Sequence, residues 1–169
     1  GYAKATQYLL KKLGFEVTLV FGTEQTGADH VWNLVKVDGD YYFAGGENGE
    51  IFVNKKQYTW ANTTSLPNGT YEFGADGKML NGIVEKDGTL YYYQMGQAKA
   101  VGLINIDGDY YFVGGSNGEI TVNKKQYVWQ TNGLLPEDNY EFGADGKMLD
   151  GFVTRDDGIY YYDTGKCGQ

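Results

Sequence analysis

Six short phrases along the chain place an aromatic residue, a variable residue and a second aromatic in succession. They are DYYF, TYEF, LYYY, DYYF, NYEF and IYYY, with first aromatics at Tyr41, Tyr71, Tyr91, Tyr110, Tyr140 and Tyr160. Because successive side chains of a strand point to opposite faces, the first and third residues share one side. That side carries Tyr41/Phe43, Tyr71/Phe73, Tyr91/Tyr93, Tyr110/Phe112, Tyr140/Phe142 and Tyr160/Tyr162. The middle position alternates between tyrosine (42, 92, 111, 161) and glutamate (72, 141), which marks it as the solvated side. Asp-Gly and Asn-Gly pairs such as Asp38-Gly39, Asp87-Gly88, Asp107-Gly108 and Asn48-Gly49 punctuate these phrases. Both residue types tolerate positive φ, which two-residue hairpin turns require, so the pattern predicts a string of β-hairpins. The first residues differ. Ala5, Leu9 and Leu13 recur at helical spacing before Gly14, predicting a helix over Tyr2–Leu13 with a glycine C-cap. Phe15, Val17, Leu19 and Phe21 alternate as a strand, Gly22–Asp29 reads as a loop, and His30–Val37 alternates again.

Sliding the sequence by 69 residues aligns 34–100 with 103–169, without a gap, at 39 identical positions of 67. DGDYYF, VNKKQY and YEFGADGKML recur whole. The organisation read from this is an N-terminal segment, 1–33, followed by two copies of one unit, 34–102 and 103–169. A single hairpin is marginal in water, so neighbouring hairpins must stack to bury their rings. The predicted fold is mainly β: a solenoid-like hairpin-repeat array with one N-terminal α-helix.

Composition narrows the function. The net charge is −8, without the clustered basic residues that a phosphate backbone demands, so no nucleic-acid partner is expected. No apolar run approaches the roughly 18–20 residues of a membrane span. One cysteine, Cys167, and one histidine, His30, rule out an intrachain disulfide and any multi-Cys or multi-His metal site. Turn chemistry accounts for the aspartates and glycines, so neither metal nor cofactor is expected. The repeated Asn54-Lys55-Lys56 and Asn123-Lys124-Lys125 read as hairpin turns bearing solvated charge.

The phrases VDGDYYF, ADGKMLNG, KDGTLYYY and IDGDYYF resemble the bacterial cell-wall-binding repeats, a group that includes choline-binding modules, glucan-binding repeats and the repetitive regions of clostridial toxins. The mixed 20- and 30-residue steps are similar to the toxin-type arrays. The resemblance implies an extracellular, non-catalytic module at a bacterial surface. The family's leading tryptophan falls at Leu34, Ile83, Leu103 and Phe152 here. Choline cages are built from such tryptophans, so a carbohydrate stacked on an exposed aromatic is the favoured ligand, with choline as the alternative. The first 43 residues also resemble the end of a transglutaminase-like domain of cysteine-protease type, with His30 at its histidine position. No cysteine precedes the helix, and Ala44–Gly46 occupy the expected place of the aspartate, so His30 reads as a catalytic relic.

The candidate ligand-binding residues are Tyr58 with Trp60, Tyr127 with Trp129, and the middle tyrosines Tyr42, Tyr92, Tyr111 and Tyr161. Each Tyr–Trp pair is spaced to share a face beside the proline-bearing stretch of its repeat, 61–69 or 130–138, where indole offers a flat platform to a sugar ring. The expected partner is cell-wall polysaccharide or host glycan. Other readings are a choline- or teichoic-acid-binding module, a structural spacer, and a fragment of a transglutaminase-like enzyme.

Overall fold

The computed structural model describes residues 2–23, 27–45, 49–59 and 66–168. The fold is mainly β, made of antiparallel hairpins, with one helix among the described residues. The chain divides into two compact units, Gly1–Asn81 with Gln94–Gln97, and Gly82–Tyr93 with Ala98–Gln169.

In the first unit, helix α1 (Tyr2–Lys12) ends where Gly14 adopts φ +91° and the Phe15 N–H donates to the Leu10 carbonyl at 3.0 Å. This is the glycine stop that the sequence foretold. Strands β1 (Glu16–Thr23), β2 (Asp29–Val37), β3 (Asp40–Ala44), β4 (Lys56–Thr59) and β5 (Gly69–Glu72) form one sheet in the order β3-β2-β1-β4-β5. All four pairings are antiparallel. Gly22 belongs to β1 and not to the expected loop. It faces Thr59 so closely that a Cβ there would lie 2.3 Å from the Tyr58 carbonyl oxygen and 2.7 Å from the Trp32 ring. Only glycine lets β4 approach.

The first core gathers Val20, Trp32, Leu34, Phe43, Tyr71 and Phe73 with their neighbours. Trp32 stacks on Phe43 at 6.2 Å and meets Phe52 edge-on at 6.0 Å. Phe43 in turn lies 4.7 Å from Phe73. Such pairs contribute roughly 0.5–1.5 kcal/mol beyond the area they bury.

The second unit contains β6 (Gly82–Lys86) and β7 (Thr89–Gln94), which form a hairpin. After the two-residue strand β8 (Gln97–Ala98) come β9 (Gly102–Ile106) with β10 (Asp109–Val113), and β11 (Lys124–Val128) with β12 (Asp138–Phe142). Last are β13 (Gly151–Arg155), β14 (Gly158–Asp163) and β15 (Lys166–Cys167). Its main core holds Leu103, Phe112, Val128, Tyr140, Phe142 and Met148. Five of these are the repeat equivalents of Leu34, Phe43, Tyr71, Phe73 and Met79 in the first core. The first-and-third aromatic pattern thus selects the buried face in both copies.

The turns follow the sequence. Asp38-Gly39, Asp87-Gly88 and Asp107-Gly108 each close a two-residue hairpin with positive φ at both positions. The Asn-Lys-Lys phrases are not turns throughout. Asn54 and Asn123 alone take φ near +50°, while Lys56 and Lys124 open strands β4 and β11. The two prolines are held alike, with Tyr71 Oη donating to the Pro67 carbonyl at 2.6 Å and Tyr140 Oη to that of Pro136 at 2.8 Å.

Phe112→Ala is expected to destabilise the second unit by about 3–5 kcal/mol, because it empties a fully buried aromatic site. Tyr2→Ala, at a 96% exposed position, is expected to stay within about 0.5 kcal/mol. Urea denaturation followed by circular dichroism measures both.

Candidate functional site

The buried end of β11 sets the position of Trp129. Val128 is fully buried, and just beyond Trp129 the Gln130 carbonyl accepts the Leu103 N–H at 2.7 Å. Asn132 then donates through Nδ2 to the carbonyls of Val101 and Leu103 at 2.7 and 2.8 Å. The chain is therefore anchored just beyond Trp129, whose indole remains 52% exposed. Its ring makes a T-shaped contact with Phe112 at 5.2 Å and 82°.

Trp129 forms one wall of an open groove of about 420 Å³. Lys124, Gln126, Glu119 and Thr121 also line it, and Phe112 and Gly114 contribute apolar surface. A Cβ on Gly114 would fall 2.5 Å from the Phe112 ring, so glycine keeps this segment close to the aromatic floor. Glu119 accepts a hydrogen bond from Asn117 at 2.6 Å and Gln126 donates to the Tyr127 carbonyl at 3.0 Å. The groove thus combines one flat aromatic face with amide, carboxylate, hydroxyl and ammonium groups. Composition and period alone missed Gln126, Glu119 and Lys124. The only trace of them in the sequence was the recurrence of NKKQY and NGEI in both copies.

Tyr127 does not share the groove with Trp129, contrary to the spacing argument. The strand ends at Val128, so the alternation lapses before Trp129. Tyr127 turns its hydroxyl to Glu137 at 3.3 Å, and desolvation, then the Glu137 carboxylate, holds its pKa above the usual phenol value. In the first copy Tyr58 is likewise about half exposed, and Trp60 lies outside the described residues. The two copies differ nonetheless. Gln57, the counterpart of Gln126, is buried because β1 pairs with β4, and it donates to the Thr23 carbonyl at 3.0 Å.

The middle tyrosines divide. Tyr161 is exposed and lies 5.3 Å from Phe152. Tyr42 is half-buried in an apolar groove, and Tyr92 is half-buried against a second hydrophobic cluster. Tyr111 corrects the sequence reading: it is buried at the centre of that cluster with Val113 and Ile120, and burial raises its pKa. The glutamates at equivalent places suggested solvation, but a second apolar face covers this one.

His30 sits on β2, with Nε2 3.2 Å from the Gly45 carbonyl and its ring 5.0 Å from Trp32. Cys167 is an exposed free thiol on β15, in the other unit. No cluster of three or more metal-ligating side chains occurs among the described residues. No described helix is long and apolar enough to cross a membrane.

A second, wider depression of about 780 Å³ is lined by Lys124, Lys125, Glu141, Asp145 and Arg155, with Phe142 among its apolar neighbours. Arg155 donates to Glu141 at 2.6 Å and also to the Tyr162 hydroxyl, which itself donates to Glu141 at 3.0 Å. Burial pushes the Glu141 carboxyl up, but the hydrogen bonds from Arg155 and Tyr162 outweigh it, and its pKa is lowered overall.

No family model matches the sequence, and no curated protein matches it. Among solved structures, choline binding protein F from Streptococcus pneumoniae is similar over 90% of this chain, at 19% identity and a TM-score of 0.47. The chain spans 58% of that protein's length. CbpJ from Streptococcus pneumoniae is similar over 91% of this chain and 64% of its own, at 17% identity and a TM-score of 0.45. The choline binding domain of Spr1274 in Streptococcus pneumoniae matches 53% of this chain and 92% of its own, at 24% identity and a TM-score of 0.35.

Desolvation, then the hydrogen bond to Glu141, raises the Tyr162 pKa from 10.0 to about 12. A phenol whose folded value exceeds its unfolded one stabilises the fold fully below the unfolded value. That contribution is lost as pH rises from 10 towards about 12. Ultraviolet titration of the tyrosines should show a late-ionising phenol that disappears in Tyr162→Phe, and that variant should lose less stability between these limits.

Proposed function

We propose that the chain is a non-catalytic binding module of a bacterial surface or secreted protein, and that it recognises carbohydrate through exposed aromatic platforms. The observation that carries this reading is Trp129, a half-exposed indole that lines one groove together with Gln126, Glu119 and Lys124. Sugars bind to this combination because their axial C–H faces stack on an aromatic ring while their hydroxyls exchange hydrogen bonds with amides and charged groups. The groove is open, and a single such site is expected to bind with modest affinity. Repetition along a scaffold compensates, since linked weak sites gain avidity without new contacts.

Choline is the second reading, since two of the similar solved structures are a choline binding protein and a choline binding domain. A quaternary ammonium is held by several converging π-faces. At Trp129 the second ring, Phe112, is buried, and Lys124 lines the same groove. Both features favour a neutral polyol over a cation.

The test is a titration of the chain with bacterial cell-wall oligosaccharides, host-type glycans and choline, followed by tryptophan fluorescence and calorimetry. Oligosaccharide binding should weaken at least about tenfold in Trp129→Ala, the loss of one stacked ring, with the melting temperature nearly unchanged. Binding of choline alone, or glycan binding indifferent to Trp129, would overturn the reading.

A further inference from the structure

Two lysines that recur in the repeat are used differently in its two copies. In the first copy Lys55 Nζ lies over the Phe52 ring at 4.9 Å, and Lys56 pairs with Glu72 at 2.9 Å. Their counterparts in the second copy are Lys124 and Lys125. The ring is absent there, because Thr121 stands in the place of Phe52. Glu141, the counterpart of Glu72, accepts instead from Arg155 at 2.6 Å and from Tyr162 at 3.0 Å. Lys124 and Lys125 are left with no hydrogen bond, ion pair or ring contact among the described residues. Lys55 and Lys56 are exposed as well, although a whole further copy follows them, so the openness of this position belongs to the repeat.

The acids nearby are already engaged. Besides Glu141, Asp145 accepts the Lys147 N–H at 3.1 Å, and Glu119 accepts from Asn117 at 2.6 Å. The wide depression is therefore lined by carboxylates that the protein satisfies and by two lysines that it does not. Lys124 also lines the Trp129 groove, so the two recesses meet at that residue. An ammonium without a protein partner is open to charge-assisted hydrogen bonds from a ligand anion.

We infer that Lys124 and Lys125 bind an anionic group, a carboxylate or a phosphodiester, carried by the same sugar polymer that stacks on Trp129. This rests on the carbohydrate reading of that groove and narrows it to acidic glycans. The indole takes the apolar face of a sugar, and the lysines take the charge beside it. A chain of net charge −8 repels a polyanion over most of its surface, so the lysine pair confines such a ligand to the second copy. In the first copy the equivalent lysines are engaged internally and take no part.

Calorimetry with three probes tests this: a galacturonic acid oligosaccharide, its neutral methyl ester, and a sugar polymer linked by phosphodiesters. At least one anionic probe should bind about tenfold or more tightly than the ester at low salt, and its advantage should shrink at about 0.3 M salt. A preference for the uronate assigns a carboxylate and a preference for the polymer assigns a phosphodiester; either supports the inference. Lys124→Gln/Lys125→Gln should abolish the advantage, whereas Lys55→Gln/Lys56→Gln should leave it intact, with circular dichroism showing that both variants are folded. Equal binding of acid and ester, or an advantage that survives Lys124→Gln/Lys125→Gln, overturns the inference, and the carbohydrate reading still stands if binding is lost in Trp129→Ala. An advantage that needs the lysines but is indifferent to Trp129→Ala overturns the carbohydrate reading and the shared ligand together. Binding of none of the three probes overturns the inference as well.

Discussion

Everything in this protein depends on hiding pairs of aromatic rings that no single hairpin can hide. A two-stranded ribbon has one interior-facing row and nothing of its own to place over it. Phe43 needs Phe73 and Trp32, and Phe112 needs Phe142 and Leu103. Burying each such side chain is worth roughly 1.5–3 kcal/mol, so a few of them offset the entropy of ordering the connecting turns. The tight turns serve that packing. Asp38-Gly39 and Asp107-Gly108 reverse the chain in two residues and so keep both aromatics of a phrase in register with the preceding strand.

The same constraint explains why two copies sharing 39 of 67 residues acquire different surfaces. A strand from the N-terminal segment adds to the first copy, and β1 pairs with β4. Gln57 is thereby covered and Thr59 becomes fully buried. In the second copy the equivalent positions hold Gln126, half-open in the Trp129 groove, and the apolar Val128, packed into the core. Repetition therefore supplies the scaffold, while what lies against each copy decides whether a platform is accessible.

Charge plays a supporting part. Lys78 with Asp40 and Lys147 with Asp109 repeat as half-exposed ion pairs, of the kind that contribute little to stability. The Arg155–Glu141–Tyr162 group is different, because Tyr162 is buried and its hydroxyl has been desolvated. There the ionic partners satisfy a polar atom that would otherwise be costly to bury.

Much of the fold was legible in the linear pattern. Period two identified the buried face at Phe43, Tyr71, Phe112 and Tyr140, helical spacing ending at Gly14 marked α1, and Asp-Gly pairs marked three reversals. These are local properties, set by side-chain alternation and by which residues tolerate positive φ. The candidate site was legible only in part. The sequence left open whether Trp129 is a platform or part of the core; it is half-exposed, and its supposed companion Tyr127 points elsewhere because the strand ends between them. Tyr111 resembled a solvent-facing residue because its counterparts in other phrases are glutamate, yet a second apolar layer closes over it. Gly22 was assigned to a loop because its local preference favours one, and it became a strand residue because β4 approaches it too closely for any side chain. Sequence alone thus determined which residues form hairpins and which of their faces is apolar. Tertiary structure decided which apolar faces find a cover, because covering is a contact between segments distant along the chain and leaves no trace in local periodicity.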